Sequence, residues 1–194
     1  MRRQILFIQG GGADVHDAWD DKLVDALQHE LGPDYAIDYP RMPGEDDPHY
    51  PAWKAAIGRE VAKLDAGAVL IGHSLGGTML VHALAEEPPA ARPGAIVLLA
   101  APFVGEGGWP SDEIAAKPGL GAMLPAGVPV HLFHGTADET APVGHADLWA
   151  AAVPGAVVHR LAGLGHQLEG GMGVVAGVVG STLPQFELGL SDNP

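Results

Sequence analysis

The sequence predicts an α/β protein, a three-layer α/β/α sandwich on a mainly parallel sheet of about six strands, and two features carry that prediction. The strand-like segments are short and continuously apolar rather than alternating, the pattern of parallel strands covered by helices on both faces. They also alternate along the chain with longer segments of helical period, the order that strand-helix-strand crossovers need. At 194 residues, 47% of them hydrophobic and none cysteine, the chain can close a core without cross-links, and a single domain over 1–194 is expected.

Residues 5–9, Ile-Leu-Phe-Ile-Gln, form the first strand, which stops at Gly10-Gly11-Gly12. Over 18–31, Trp19, Leu23, Ala26, Leu27 and Leu31 recur at spacings of three and four, and Gly32-Pro33 ends this amphipathic helix. Residues 35–39 are a second strand. The segment 40–51, with four prolines and the pair Asp46-Asp47, is a loop, and a helix follows from about 52 to 64. Val69-Leu70-Ile71 make the third strand, 75–85 a helix and 95–100 the fourth strand. A Gly/Pro-rich connection leads to a fifth strand over 128–133. A helix over 147–152, a sixth strand over 157–160 and a glycine-interrupted helix over 174–183 precede a polar tail.

Charge excludes several function classes. The formal net charge is −14, and apart from Arg2-Arg3 there is no run of basic residues from which to build a phosphate-tracking surface. Nucleic acid and membranes are therefore not expected as partners. Only four consecutive apolar residues follow Arg2-Arg3, short of a secretory signal, so a cytoplasmic location is expected. Residues 66–85 carry no formal charge and match a bilayer in length, but Gly72, Gly76 and Gly77 split them into a strand, a turn and a helix.

Open parallel sheets bind ligands beyond the carboxyl ends of their strands, so the residues after each apolar run are the first to inspect. After the third strand, Gly72-His73-Ser74-Leu75-Gly76-Gly77 matches the Gly-x-Ser-x-Gly nucleophile elbow. Such a turn needs small residues two positions either side of the serine, and it opens a helix whose free N–H groups favour a developing oxyanion. Ser74 is the candidate nucleophile and the Leu75 N–H a candidate oxyanion donor. After the fifth strand, His134-Gly135-Thr136-Ala137-Asp138 offers Asp138 as the orienting carboxylate, with Glu139 ranked below it. After the sixth, Gly165-His166 offers His166 as the base, completing the order Ser, Asp, His. His73 is read as packing or hydrogen-bonding within the turn, and Trp53 and Trp109 as core.

In Gly10-Gly11-Gly12, Gly11 is the candidate for the second oxyanion donor, with Gly12 next. A dinucleotide loop would need glycine where Val15 stands, and there is no phosphate-loop Gly-Lys-Ser/Thr. Asp14, His16 and Asp17 have metal-donor chemistry, but polar loop residues more often face solvent or cap helices, so neither metal nor cofactor is expected.

Through Gly72-His73-Ser74-Leu75-Gly76-Gly77, His134-Gly135-Thr136-Ala137-Asp138 and Gly165-His166, the chain resembles the α/β-hydrolase superfamily from Ile5 to about Gln167. More narrowly, Gly10-Gly11-Gly12 followed by Trp19, and Tyr39-Pro40-Arg41-Met42-Pro43 followed by Trp53, are similar to the compact capless serine hydrolases of the retinoblastoma-binding-protein type. The superfamily's first loop usually begins His-Gly, whereas here it is Gln9-Gly10. The resemblance implies a minimal α/β-hydrolase fold and two-step acyl transfer from a small-molecule ester. The short connection 101–127 leaves room for little or no lid, which favours small or short-chain acyl groups. A weakly active binding protein on the same scaffold and an acyltransferase are the alternatives. The sequence does not set the oligomeric state.

Overall fold

The computed structural model describes residues 2–115 and 117–182. Six strands, β1 (Arg3–Ile8), β2 (Tyr35–Asp38), β3 (Val69–His73), β4 (Ala95–Leu99), β5 (Val130–Gly135) and β6 (Val157–Leu161), form one sheet in the order β2-β1-β3-β4-β5-β6. Every neighbouring pair is parallel. The connecting helices are α1 (Asp21–Leu31), α2 (Tyr50–Val61), α3 (Ser74–Glu86), α4 (Leu120–Met123), α5 (Gly144–Ala152) and α6 (Met172–Thr182).

The continuous apolar runs are explained by burial on both faces. Leu6, Ile8, Leu70, Ile96, Leu98 and Leu132 point to the side covered by α2, α3 and Trp149 of α5. Ile5, Phe7, Val69, Ile71, Val97 and Phe133 point to the side covered by α1 and α6. Every residue of β3 and β4 is buried, whereas the edge strands β2 and β6 are partly open, with Val157 48% exposed. Trp53 is fully buried and its Nε1–H donates to Pro43 O at 2.8 Å, tying α2 to the loop before it.

Several boundaries differ from the sequence expectation for local reasons. The expected helix over 18–31 instead begins with a π-helical turn, Val15–Asp20, which turns Asp20 into the interior, and only then becomes α1. The fifth strand starts at Val130 rather than 128. Pro129 has no N–H to give a neighbour, although its carbonyl accepts from Ile96 N–H at 2.9 Å. The short α4 lies inside the Gly/Pro-rich connection and was not anticipated. The last expected helix is observed as Met172–Thr182; Leu183 and the polar tail lie outside the described residues. No helix among the described residues is long and apolar enough to cross a membrane.

The chain runs from β1 outward to β2 and then back across to β3, so the strand order reverses between β1 and β3. The carboxyl ends of these two strands diverge into separate loops there, which opens a crevice. Gly10-Gly11-Gly12 and Ser74 both lie at that edge.

Candidate active site

Ser74 is the first residue of α3 and has φ of 50°, the left-handed conformation of a sharp strand-to-helix reversal. Close packing forces the reversal. A Cβ on Gly76 would lie 1.9 Å from Gln9 O, and one on Gly72 would lie 2.5 Å from Gly77 Cα, so neither site accepts a side chain. α3 therefore starts directly against the end of β1, and Ser74, 8% exposed, reaches the crevice.

The structure brings Ser74, His166 and Asp138 into one hydrogen-bonded array. Ser74 Oγ lies 2.8 Å from His166 Nε2, and His166 Nδ1 lies 2.8 Å from Asp138 Oδ2. With its proton on Nδ1, His166 donates to the carboxylate and presents a lone pair to the serine hydroxyl. Asp138 is buried, and its Oδ1 accepts from the Thr140 and Ala141 N–H groups, both at 2.9 Å. His134 Nε2 stands 3.3 Å from Asp138 Oδ2 while donating to Ala141 O at 2.6 Å. Burial alone would raise the Asp138 carboxyl, but the hydrogen bonds from His134, His166 and Ala141 outweigh it and hold the group well below the usual carboxylate range. Glu139, the lower-ranked alternative, is exposed.

Of the three loop glycines, Gly10 N–H donates to Asp20 Oδ2 at 2.7 Å and Gly12 N–H to Glu45 O at 2.6 Å. Gly11 N–H has no hydrogen-bond partner among the described residues, and a Cβ at Gly11 would lie 2.9 Å from Leu75 Cδ2, so Gly11 and Leu75 adjoin. Glu45 braces this loop. Its carboxylate accepts from Gln9 Nε2 and, at 3.1 Å, from His16 N–H, while Gln9 Oε1 accepts from Met42 N–H at 2.9 Å. Gln9, where the superfamily usually has histidine, thus acts as a fully buried link between β1 and the loop before α2.

Asp14, His16 and Asp17 do not converge on an ion site. His16 stacks on Tyr39 at 4.1 Å and bonds Asp17 Oδ1 at 2.7 Å, and Asp17 also pairs with Arg41. Trp109, expected in the core, is half-buried and lines a cavity of about 190 Å³ with Pro48, Tyr50, Leu75, Met79 and Val104. Leu75 places that cavity next to Ser74. A larger cleft of about 300 Å³ between α2 and the end of α3 lies away from Ser74; its charged groups, Lys54 and Glu87, pair at 2.7 Å.

Sequence reasoning missed Asp20. It is fully buried, bonds Gly10 N–H and sits 2.9 Å from His73 Nδ1, yet in the sequence nothing sets it apart from its neighbours Asp17 and Asp21.

A serine on a strained elbow, a histidine and a buried aspartate at the carboxyl edge of an all-parallel sheet define the hydrolase class of three-layer α/β proteins. The sequence agrees with this geometry. Residues 5–128 match the model of the Alpha/beta hydrolase family, and the chain belongs to that family. No curated protein matches it by sequence. Among solved structures it is similar to the ydeN gene product from B. subtilis, at 18% identity, with 93% of this chain and 98% of that one covered and a TM-score of 0.68. It is also similar to the esterase domain of a Rhodothermus marinus protein (21% identity, 92% and 84% covered, TM-score 0.66). A third is Est1E from Butyrivibrio proteoclasticus with ferulic acid bound (17% identity, 92% and 87% covered, TM-score 0.63). At these identities the likeness is one of fold.

Proposed function

We propose that the protein is a serine hydrolase that cleaves carboxylic esters of small or short-chain acyl groups through an acyl-enzyme. The observation that carries this reading is the Ser74–His166–Asp138 array, with both links at 2.8 Å. His166 Nε2 takes the Oγ proton as Ser74 Oγ bonds the ester carbonyl carbon, and Asp138 stabilises the imidazolium that results. The carbonyl oxygen becomes an oxyanion facing the N–H groups of Leu75 and Gly11. Collapse expels the alcohol, which takes the proton from His166. Water then attacks the acyl-enzyme by the same steps and releases the acid. The role of each residue needs neither metal nor cofactor.

Two features support the ester and its size. A cavity of about 190 Å³ beside Leu75 is smaller than pockets that take drug-sized ligands, which start near ~300 Å³. Two similar structures are described as an esterase domain and as Est1E with ferulic acid bound.

The test is labelling by a fluorophosphonate probe, followed by hydrolysis of p-nitrophenyl esters of increasing chain length. Wild type should label and prefer short chains, whereas Ser74→Ala and His166→Ala should not label. Asp138→Asn removes the acceptor that fixes the imidazole tautomer and should lower kcat by about 10⁴-fold. An unlabelled wild type would overturn the serine mechanism, and preference for long-chain triglycerides would overturn the short-chain assignment. Aminolysis or alcoholysis products outnumbering the free acid would identify an acyltransferase.

A further inference from the structure

Behind the Ser74 array lies a second buried acid-histidine pair that the proposed reaction does not use. His73 and Asp20 are 1% and 0% exposed. His73 Nδ1 is 2.9 Å from both Asp20 oxygens, and His73 Nε2 is 3.1 Å from the backbone carbonyl oxygen of His166. Asp20 Oδ2 also accepts from Gly10 N–H at 2.7 Å. A continuous path thus runs from the glycine loop through Asp20 and His73 to the loop that carries the general base.

The donors and acceptors on this path constrain its protons. A carbonyl oxygen only accepts, so His73 Nε2 must carry a proton to bond His166 O. Asp20 Oδ2 accepts from Gly10 N–H and both Asp20 oxygens face His73 Nδ1 at 2.9 Å, so Nδ1 is placed to donate as well. His73 then has both ring nitrogens protonated and forms an ion pair with Asp20. A buried ion pair is retained more readily as its hydrogen bonds are satisfied. The Gly10 N–H and the His166 carbonyl supply two of them, while Asp20 Oδ1 has no hydrogen-bond partner among the described residues and only the 2.9 Å approach of His73 Nδ1. The charged and titratable groups facing His73 are Asp20 from the π-helical turn, Asp138 from the loop after β5 and His166 from the loop after β6. Burial opposes the extra proton on His73, but Asp20, the His166 carbonyl and Asp138 favour it.

The geometry points to Asp20 and His73 as positioning residues: their buried ion pair clamps the Gly10–Gly11 loop and the His166 loop at a fixed separation across Ser74. The clamp rests on the reading of Ser74 as nucleophile and His166 as its base. Gly11 follows Gly10 directly, so the bond to Asp20 aims the free Gly11 N–H. The bond from His73 to His166 O fixes the backbone from which the imidazole reaches Ser74. A misplacement near 1 Å at either end costs on the order of 100-fold in rate, which gives so remote a pair a catalytic consequence.

Two measurements test the clamp. Nitrogen-15 NMR of the histidine side chains in the intact protein should show both His73 ring nitrogens protonated at neutral pH; an unprotonated Nδ1 there overturns the ion pair. The second is kcat for a short-chain ester, expressed per serine titrated by fluorophosphonate so that misfolded protein does not count. Asp20→Ala should lower it roughly 10- to 100-fold with KM within about twofold. Asp20→Asn can still accept from Gly10 and donate to His73 Nδ1, and should recover much of the loss. His73→Gln, which retains only one side of the bridge, should fall between them and provides the readout if Asp20→Ala does not fold. Unchanged kcat per titrated serine in these variants overturns the positioning role. A wild type that neither labels nor turns over ester overturns the hydrolase reading instead, and the His73 spectrum still decides whether the ion pair exists.

Discussion

Ser74 combines two roles that conflict energetically. Its φ of 50° is a conformation that costs a non-glycine residue on the order of 1 kcal/mol or more, and packing around Gly72 and Gly76 imposes it. The hydroxyl can occupy the crevice only from that backbone. Ser74→Gly should therefore unfold at a higher temperature than Ser74→Ala, by the few degrees that about 1 kcal/mol implies, although both lack the hydroxyl of the proposed nucleophile. Calorimetric midpoints would check this; because glycine also loosens the unfolded chain, a Ser74→Gly midpoint below that of Ser74→Ala by the degrees that entropy alone implies would show that the elbow stores no strain. Asp138 is the opposite case. Its acceptor positions are filled by His134, His166, Thr140 and Ala141, so it stays ionised where a solvent-exposed carboxyl would begin to take up protons. Its folded value is depressed, so its contribution to stability is complete above the unfolded value near ~4 and is lost only as pH falls below it.

The elbow depends on contact between α3 and the sheet without side chains between them. Gly76→Ala would put a Cβ 1.9 Å from Gln9 O, a rigid backbone atom of the neighbouring strand, so α3 must move away from β1. The expected loss is about 3 kcal/mol or more, read as a lower denaturant midpoint together with lost labelling of Ser74. A stable, fully labelled Gly76→Ala protein would sink this account of the elbow. The same tight junction explains what was legible in the sequence. Ser74, Asp138 and His166 lie one, three and five residues beyond the ends of β3, β5 and β6, so strand ends placed them at one edge, and their order supplied the roles proposed for them. Asp20 was not legible because a π-helical turn has no hydrophobic period of its own, and Trp19 joined smoothly to the 3.6-residue pattern of α1. Trp109, read as core, packs half-buried against the core and also lines the cavity; aromatic residues do both, and only the path of the connection after β4 shows the second role. α4 was hidden among the glycines and prolines that made its segment read as irregular.

For the whole molecule, acidity and buried histidine act in opposite directions as pH falls. The net charge of −14 shrinks toward the isoelectric point near 4.9, which relieves surface repulsion that salt already screens. Against this, His82, His131, His145 and His159 all have depressed values, chiefly through burial, and favour the fold only while neutral. His82 is the strongest case, pushed down to about 4 by burial and by Lys117, with Glu86 opposing. Neither of its ring nitrogens has a hydrogen-bond partner among the described residues, and it packs edge-on against Tyr50 and Trp149. Because the folded value lies below the unfolded one of about 6.5, the His82 contribution is intact above about 6.5 and declines toward 4. That amounts to about 2 kcal/mol by about pH 5, more than weak screened surface terms return. Stability should therefore fall between neutrality and the isoelectric point, although the charge is shrinking. His82→Leu replaces an unsatisfied polar ring with an apolar side chain and should stabilise by about 1 kcal/mol at neutral pH. It should also reduce the drop by about pH 5 by roughly 2 kcal/mol. Urea midpoints of both proteins at the two pH values measure this directly; parallel declines would mean that His82 is charged in the fold or that charges elsewhere set the acid limb.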